Sequence, residues 1–99
     1  DVNALFSCND MMALGAIEAI AAAGRTGEIV VFGFDAVNDA RQAIRDGTMI
    51  GSVAQYPSEM GRLAVENAYR LIQGETIPAY LPVKIALINK ANVDAGATP

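Results

Sequence analysis

The sequence contains no histidine and only one cysteine. Without histidine, Ser-His and Cys-His nucleophilic pairs are excluded, and the commonest metal ligand of proteins is absent. Cys8 cannot form a disulfide within the chain. We interpret it as a small apolar residue near the end of a buried strand, and a reactive thiol beside a helix amino-terminus is the alternative interpretation.

Basic residues are also few, and they are scattered along the chain. Seven Lys and Arg stand against eleven Asp and Glu, which gives a formal net charge of −4. Nucleic-acid binding requires clustered basic residues, so we expect no nucleic-acid partner. No stretch reaches the roughly 18 apolar residues of a membrane span. Hydrophobic residues make up 53% of the 99 residues, which suits one small folded domain or a piece of a larger one.

The apolar pattern predicts alternating strands and helices in the order β-α-β-α-β-α-β. Strands are predicted at 4–7, 29–34, 49–54 and 83–89, and helices at 10–23, 38–45 and 57–73. The second strand is an almost continuous apolar run, which is typical of strands covered on both faces. Short connections indicate right-handed crossovers, so we predict an α/β fold with a mainly parallel sheet and flanking helices.

Two helices carry apolar residues at helical spacing, and this spacing predicts the faces that they bury. The predicted buried stripe of the first helix is Met11, Leu14, Ile17 and Ala21. The predicted buried stripe of the third helix is Met60, Leu63, Ala64, Ala68, Leu71 and Ile72.

Three predicted strands end in a hydrogen-bonding side chain, namely Asn9, Asp35 and Gln55. Carboxyl ends of parallel strands meet at one edge with a spacing of about 4.8 Å, so the three groups would line an arc of about 10 Å. Side-chain amides donate and accept hydrogen bonds, and a carboxylate accepts them. Such a set suits the hydroxyls of a sugar or polyol. Each residue also has a simpler interpretation, as a helix cap, a turn residue or a strand terminus. We expect Asp10 to stabilise the start of the first helix.

Signatures of enzymes are missing. The sequence has no phosphate-binding loop, nucleophile elbow or dinucleotide fingerprint. A small flavodoxin-like enzyme would need a nucleophile or a cofactor loop that we do not find. We therefore expect no catalytic residue, no metal and no cofactor.

Four segments together carry a recognisable pattern: F-S-C-N-D-M-M-A-L-G, V-V-F-G-F-D-A, G-T-M-I-G-S-V-A-Q-Y-P and P-V-K-I-A-L-I-N-K. In this order and spacing they resemble the carboxyl-terminal part of type I periplasmic sugar-binding proteins of ABC transporters, in the ribose-binding branch. The resemblance covers nearly the whole chain. It implies a flavodoxin-like half of a two-lobed fold that closes over a sugar without chemistry, with ligand contacts at Asn9, Asp35 and Gln55.

The resemblance also implies what lies outside the chain. A first lobe, stacking aromatic residues and a clamping arginine would precede residue 1, and no signal peptide is expected within the chain itself. Residues 1–55 and 83–99 would form part of one lobe, and residues 56–82 would pack on the other. The implied location is periplasmic, or extracellular and lipid-anchored in a Gram-positive source, with a membrane permease as partner. Apolar edges on the first and third strands also lead us to expect that the isolated fragment dimerises or swaps elements.

A transcriptional repressor of the LacI type is the alternative. Its effector-sensing domain shares the N-D-x-x-A-x-G and G-F-D patterns. Repressors usually continue with a P-x-L-T-T-like turn, whereas this chain reads I-R-D-G-T-M-I-G-S-V-A-Q. That departure favours a transport protein.

Overall fold

The computed structural model describes residues 1–95, and it confirms the predicted order of alternating strands and helices. The strands are β1 (Ala4–Phe6), β2 (Val30–Phe34), β3 (Gly51–Ala54) and β4 (Ala86–Asn89), and the helices are α1 (Asp10–Ala22), α2 (Asn38–Asp46) and α3 (Pro57–Ile72). The last strand begins later than predicted. Its first residue, Ala86, pairs with Ala54, which is the last residue of β3, so no partner remains for residues 83–85.

The strands form one sheet in the order β1-β2-β3-β4. β1, β2 and β3 run parallel, and β4 runs antiparallel to β3. The mainly parallel sheet predicted from the sequence is therefore confirmed. Because of these directions, the carboxyl ends of β1, β2 and β3 lie at the same edge of the sheet, which we call the carboxyl edge.

α1 and α2 pack on one face of this sheet and contact each other. The side chains of Val31, Ile44, Met49 and Ile88 are almost completely buried in the core that results. Ala13 is also fully buried. Small side chains on both helices belong to this core and allow the helix backbones to approach the sheet closely, namely Ala13, Ala40 and Ala43.

The opposite face of the sheet is not covered by the described residues. The register places Phe6, Val30 and Leu87 on this face, and each is more than a third exposed, with Phe6 at 61%. The expectation that β2 is covered on both faces is therefore wrong for residues 1–95. The reason is that both packed helices lie on the same side of the sheet.

The buried stripe predicted for α3 is also wrong. Ile72 is 80% exposed, and Met60 and Leu71 are exposed as well, while Leu63 is half-buried. α3 is not among the elements that make extended contacts with the sheet. The radius of gyration of 17.4 Å reflects this, because a compact chain of this length would have about 13 Å.

Local interactions explain why the exposed α3 is nevertheless helical. Pro57 occupies its first turn, where a missing N–H costs nothing. Arg62 forms ion pairs with Glu59 and Glu66, at the i,i+3 and i,i+4 spacings that favour a helix. The hydrogen bond from Arg62 lowers the pKa of the Glu59 carboxyl.

The predicted stripe of α1 needs a smaller correction. Ala13 is buried, and Leu14 and Ile17 pack against the core as part of the predicted face. Met11, however, is 69% exposed, and Ala21 is exposed too. The face that α1 buries is rotated about the helix axis relative to the predicted stripe. It begins with Asp10, and a prediction from apolar residues alone cannot include a polar residue.

Gly51 offers a test of the packing between β3 and β4. A Cβ at this position would lie 2.9 Å from the carbonyl oxygen of Ile88, which is backbone and cannot move freely. We expect Gly51→Ala to lower the free energy of unfolding by about 1–3 kcal/mol, measured by urea unfolding.

The matched control is Gly61→Ala on α3, where a Cβ would meet nothing within 4 Å. Alanine is the better helix former, so this control should keep or raise stability, by up to about 1 kcal/mol. Equal stability of the Gly51→Ala variant and the unsubstituted protein would show that the space between Gly51 and the carbonyl oxygen of Ile88 accommodates a methyl group.

Candidate ligand-binding site

Two of the three predicted site residues are in direct contact. Asp35 and Gln55 directly follow β2 and β3 at the carboxyl edge. The side-chain amide of Gln55 donates from Nε2 to Oδ1 of Asp35 at 2.8 Å. Both side chains are half-buried, so part of each remains exposed to solvent.

The third predicted residue, Asn9, also lies at the carboxyl edge but serves as the cap of α1. Its Oδ1 accepts a hydrogen bond from the backbone N–H of Met12 at 2.9 Å. The helix-cap interpretation is thus confirmed for Asn9. No hydrogen bond joins Asn9 to Asp35 or Gln55 within residues 1–95, and the cap leaves the Nδ2 amide group of Asn9 available for another partner.

The backbone that carries Asp35 has an uncommon conformation. Asp35 has a φ of 106° and Ala36 a φ of 53°, a region that side chains other than glycine rarely adopt. Three consecutive N–H groups of this turn are held by acceptors. Asp35 donates to the carbonyl of Val53 at 2.8 Å, Ala36 to Oγ of Ser52 at 3.0 Å and Val37 to Oδ2 of Asp10 at 2.8 Å.

Asp10 is the residue that joins these contacts, and its structural role extends beyond the predicted one at the start of α1. Only 1% of its surface is exposed, and its Oδ1 accepts from the hydroxyl of Ser52 at 2.6 Å. Its other oxygen accepts from Val37. Asp10 therefore links α1 to β3 and to the turn after β2, in addition to lying in the first turn of α1.

Gly33 provides the space for the Asp10 carboxylate. A Cβ on Gly33 would lie 2.1 Å from Oδ1 of Asp10, so any side chain there would displace the carboxylate. Two sequence signals could have revealed this contact. A glycine inside an apolar strand often marks a close approach, and Ser52 is the polar residue inside the buried β3.

Other parts of the described chain are less suited to a polar ligand. A recess of about 440 Å³ opens at the opposite edge of the sheet, and its walls are mainly apolar, including Ile17, Ile29 and Met49. It contains none of the three predicted site residues, and its polar side chains are limited to Thr26, Thr48 and Lys90. Residues 1–95 contain no group of three acidic or cysteine side chains placed to hold a metal ion. Nor is any helix in this part long and apolar enough to cross a membrane.

Comparison with known proteins identifies the family. Residues 1–76 match the sequence model of a family whose description is "periplasmic binding protein domain". The chain belongs to this family. The resemblance drawn from the four sequence segments is confirmed, and the family fold agrees with the α/β sheet described above.

Relatives within the family are much longer than this chain. The ribose import binding protein of Escherichia coli (strain K12) is 40% identical over 90 residues, which cover 91% of this chain and 30% of the relative. A solute-binding protein from Agrobacterium vitis, solved with α-D-tagatopyranose, superposes with a TM-score of 0.88 at 32% identity and covers 98% of this chain and 33% of that one. A second one from Agrobacterium vitis, with bound allitol, has a TM-score of 0.84 at 39% identity, over 94% of this chain and 32% of that one. The chain thus spans about a third of these relatives.

Asn9 allows the helix cap to be tested separately from any ligand. Asn9→Ala removes the acceptor for the N–H of Met12, so the free energy of unfolding should fall by about 0.5–2 kcal/mol. Asn9→Asp keeps an acceptor oxygen at the same place and should remain close to the unsubstituted protein. Urea unfolding of both variants measures the difference. If Asn9→Ala proves as stable as Asn9→Asp, the cap does not contribute.

Proposed function

We propose that the chain is part of a solute-binding protein that takes up a monosaccharide or polyol at Asn9, Asp35 and Gln55. The observation that carries the proposal is the hydrogen-bonded pair of Asp35 and Gln55 at the carboxyl edge. Ligands of open α/β sheets bind at this edge. Further support comes from relatives whose names state that they bind ribose or allose.

The free hydrogen-bonding capacity of the Asp35 and Asn9 side chains fits hydroxyl groups. The bond with Gln55 occupies Oδ1 of Asp35, which leaves Oδ2 to accept a hydrogen bond from a hydroxyl. Asn9 uses Oδ1 for its cap, which leaves Nδ2 to donate to a hydroxyl oxygen. A sugar hydroxyl donates and accepts at once, so one face of a sugar can satisfy both groups.

We further propose that binding is the whole activity, without catalysis or a cofactor. Cys8 is exposed, so its interpretation as a small apolar residue at the end of a buried strand is wrong. With no histidine in the sequence, Cys8 also lacks the usual base that activates a thiol. The relatives named above are binding proteins of transport systems. This supports delivery to an ABC-transporter permease, in the periplasm or on the outside of the cell, in preference to a LacI-type repressor.

The arrangement of lobes is also part of the proposal. Residues 1–55 and 83–99 belong to one lobe, and residues 56–82 pack on a second lobe that lies outside this chain; residues 96–99 fall outside the described part. The exposed apolar side of α3 supports this division. The chain leaves the sheet after Ala54 and re-enters it at Ala86, and a recess of about 410 Å³ is lined by residues of both connections, among them Tyr56 and Pro82. Closure of the two lobes over the ligand would bend the chain there.

Substitution of Asp35 tests the site. In the full-length protein that contains this chain, Asp35→Ala should weaken sugar binding by more than about tenfold, because a buried hydroxyl loses its charged acceptor. Isothermal titration calorimetry against pentoses, hexoses and inositols measures the change. Glu18→Ala, which removes one carboxylate from the exposed middle of α1, is the control and should bind as before.

The two possible failures differ in meaning. If Asp35→Ala binds its sugar with unchanged affinity, Asp35 is not part of the site. If the unsubstituted protein binds no member of the panel, the proposed function itself is wrong.

The expected exposed edge of the third strand is wrong, because β3 is paired with both β2 and β4. We instead propose that residues 1–99 on their own self-associate through the uncovered face of the sheet. Phe6, Val30 and Leu87 expose apolar surface there that water solvates poorly. Light scattering at high concentration should give a mass above the monomer, and Phe6→Lys should shift it towards the monomer. Glu18→Lys, on the exposed side of α1, is the control. A monomer at every concentration would contradict the proposal.

A further inference from the structure

We propose that Asp10 is a positioning residue for the ligand, because it holds the turn that presents the Asp35 carboxylate. This inference rests on the proposed function, since it takes Asp35 to be a ligand contact. Asp10 itself would not touch the ligand. Both of its carboxylate oxygens already accept hydrogen bonds from Ser52 and Val37, and its side chain is buried.

The turn needs such support because its conformation is unfavourable by itself. Asp35 and Ala36 are the two residues other than glycine that have a positive φ in the described part of the chain. Such residues persist where their surroundings hold them in place. In this turn the surroundings are the hydroxyl of Ser52, which accepts from Ala36, and the carboxylate of Asp10, which accepts from Val37.

The hydrogen bonds form one continuous path from α1 to the site. Asp10 accepts from Ser52, Ser52 accepts from Ala36, and Ala36 adjoins Asp35. Arg41 adds a further contact, since its Nε donates to the carbonyl of Ala36 at 2.9 Å. A shift of the Asp10 carboxylate would therefore move both N–H groups that follow Asp35, and with them the direction of the Asp35 side chain.

Gly33 ties the position of this carboxylate to the sheet. The 2.1 Å gap from a hypothetical Cβ to Oδ1 of Asp10 means that Gly33→Ala displaces the carboxylate without removing a hydrogen-bonding group. The same substitution at Gly15 on α1 meets nothing within 4 Å. These two variants form a matched pair that separates displacement of Asp10 from the general effect of adding a methyl group.

The experiment uses the full-length protein with D-ribose as the probe, at a temperature where circular dichroism shows each variant to be folded. Asp10→Asn conserves size but turns one acceptor into a donor, so it should weaken D-ribose binding by at least about tenfold. Gly33→Ala should do the same, and Gly15→Ala should not. A lower thermal midpoint with unchanged affinity in Asp10→Asn would overturn the proposal, because that is what a purely structural role predicts.

A double-mutant cycle with Asp35→Asn tests whether Asp10 acts through Asp35. If it does, Asp10→Asn should cost less than about twofold in affinity once Asp35 has been changed, because coupled residues are not additive. Full additivity of the two effects would overturn the proposal. Should Asp10→Asn fail to fold, Ser52→Ala takes its place under the same criteria.

Amide hydrogen exchange of the turn after β2, measured in the ligand-free protein, tests the support of this turn without any sugar. Ser52→Ala removes the acceptor of the Ala36 N–H, so exchange at Ala36 should become at least about tenfold faster, with residues in α2 unchanged. Unchanged exchange at Ala36 would overturn the proposal. If the unsubstituted protein binds no sugar while exchange accelerates as expected, the proposed function fails and the support of the turn by Ser52 stands.

Discussion

The turn after β2, which carries Asp35 at the carboxyl edge, depends on the hydrogen bonds that the buried carboxylate of Asp10 accepts. It accepts one hydrogen bond from Ser52 on β3 and another from Val37 after β2, and it belongs to α1. The Asp10 side chain thereby connects α1, β3 and the turn after β2 at the carboxyl edge of the sheet. A buried carboxylate without hydrogen-bond donors would lower the free energy of unfolding. The two donors are therefore needed to keep the Asp10 carboxylate buried. The absence of a side chain at Gly33 is part of the same arrangement, because it leaves the space that the carboxylate occupies.

The sequence predicts the order of the elements and the mainly parallel sheet, because both follow from local apolar patterns and short connections. It also places Asp35 and Gln55 at one edge, where the structure finds them hydrogen-bonded. The partnership of Asp10 with Ser52 could not be predicted in this way, since the two residues are 42 positions apart and only the fold brings them together. Periodicity also could not show what covers α3. An apolar stripe predicts a face that can be buried, and whether a partner is present depends on residues elsewhere.

The uncovered surfaces and the family membership agree with each other. The chain spans 30% of the Escherichia coli ribose import binding protein, so a large part of such a fold has no counterpart within these residues. One face of the sheet and the apolar side of α3 are exposed in the described part. The hydrogen bonds of the turn after β2, in contrast, are complete within this part of the chain, because Asp10, Ser52 and Val53 all supply acceptors for it. The candidate site is thus held locally, whereas the surrounding surfaces are not.

A crystal structure of the full-length protein with a bound sugar tests the proposed site most directly. We expect hydroxyl oxygens of the sugar to lie within about 2.5–3.2 Å of Oδ2 of Asp35 and Nδ2 of Asn9. The hydrogen bonds from Gln55 to Asp35 and from Val37 to Asp10 should persist in that complex. A sugar bound elsewhere, or bound at the carboxyl edge without contact to Asp35, would show that the proposed site is wrong.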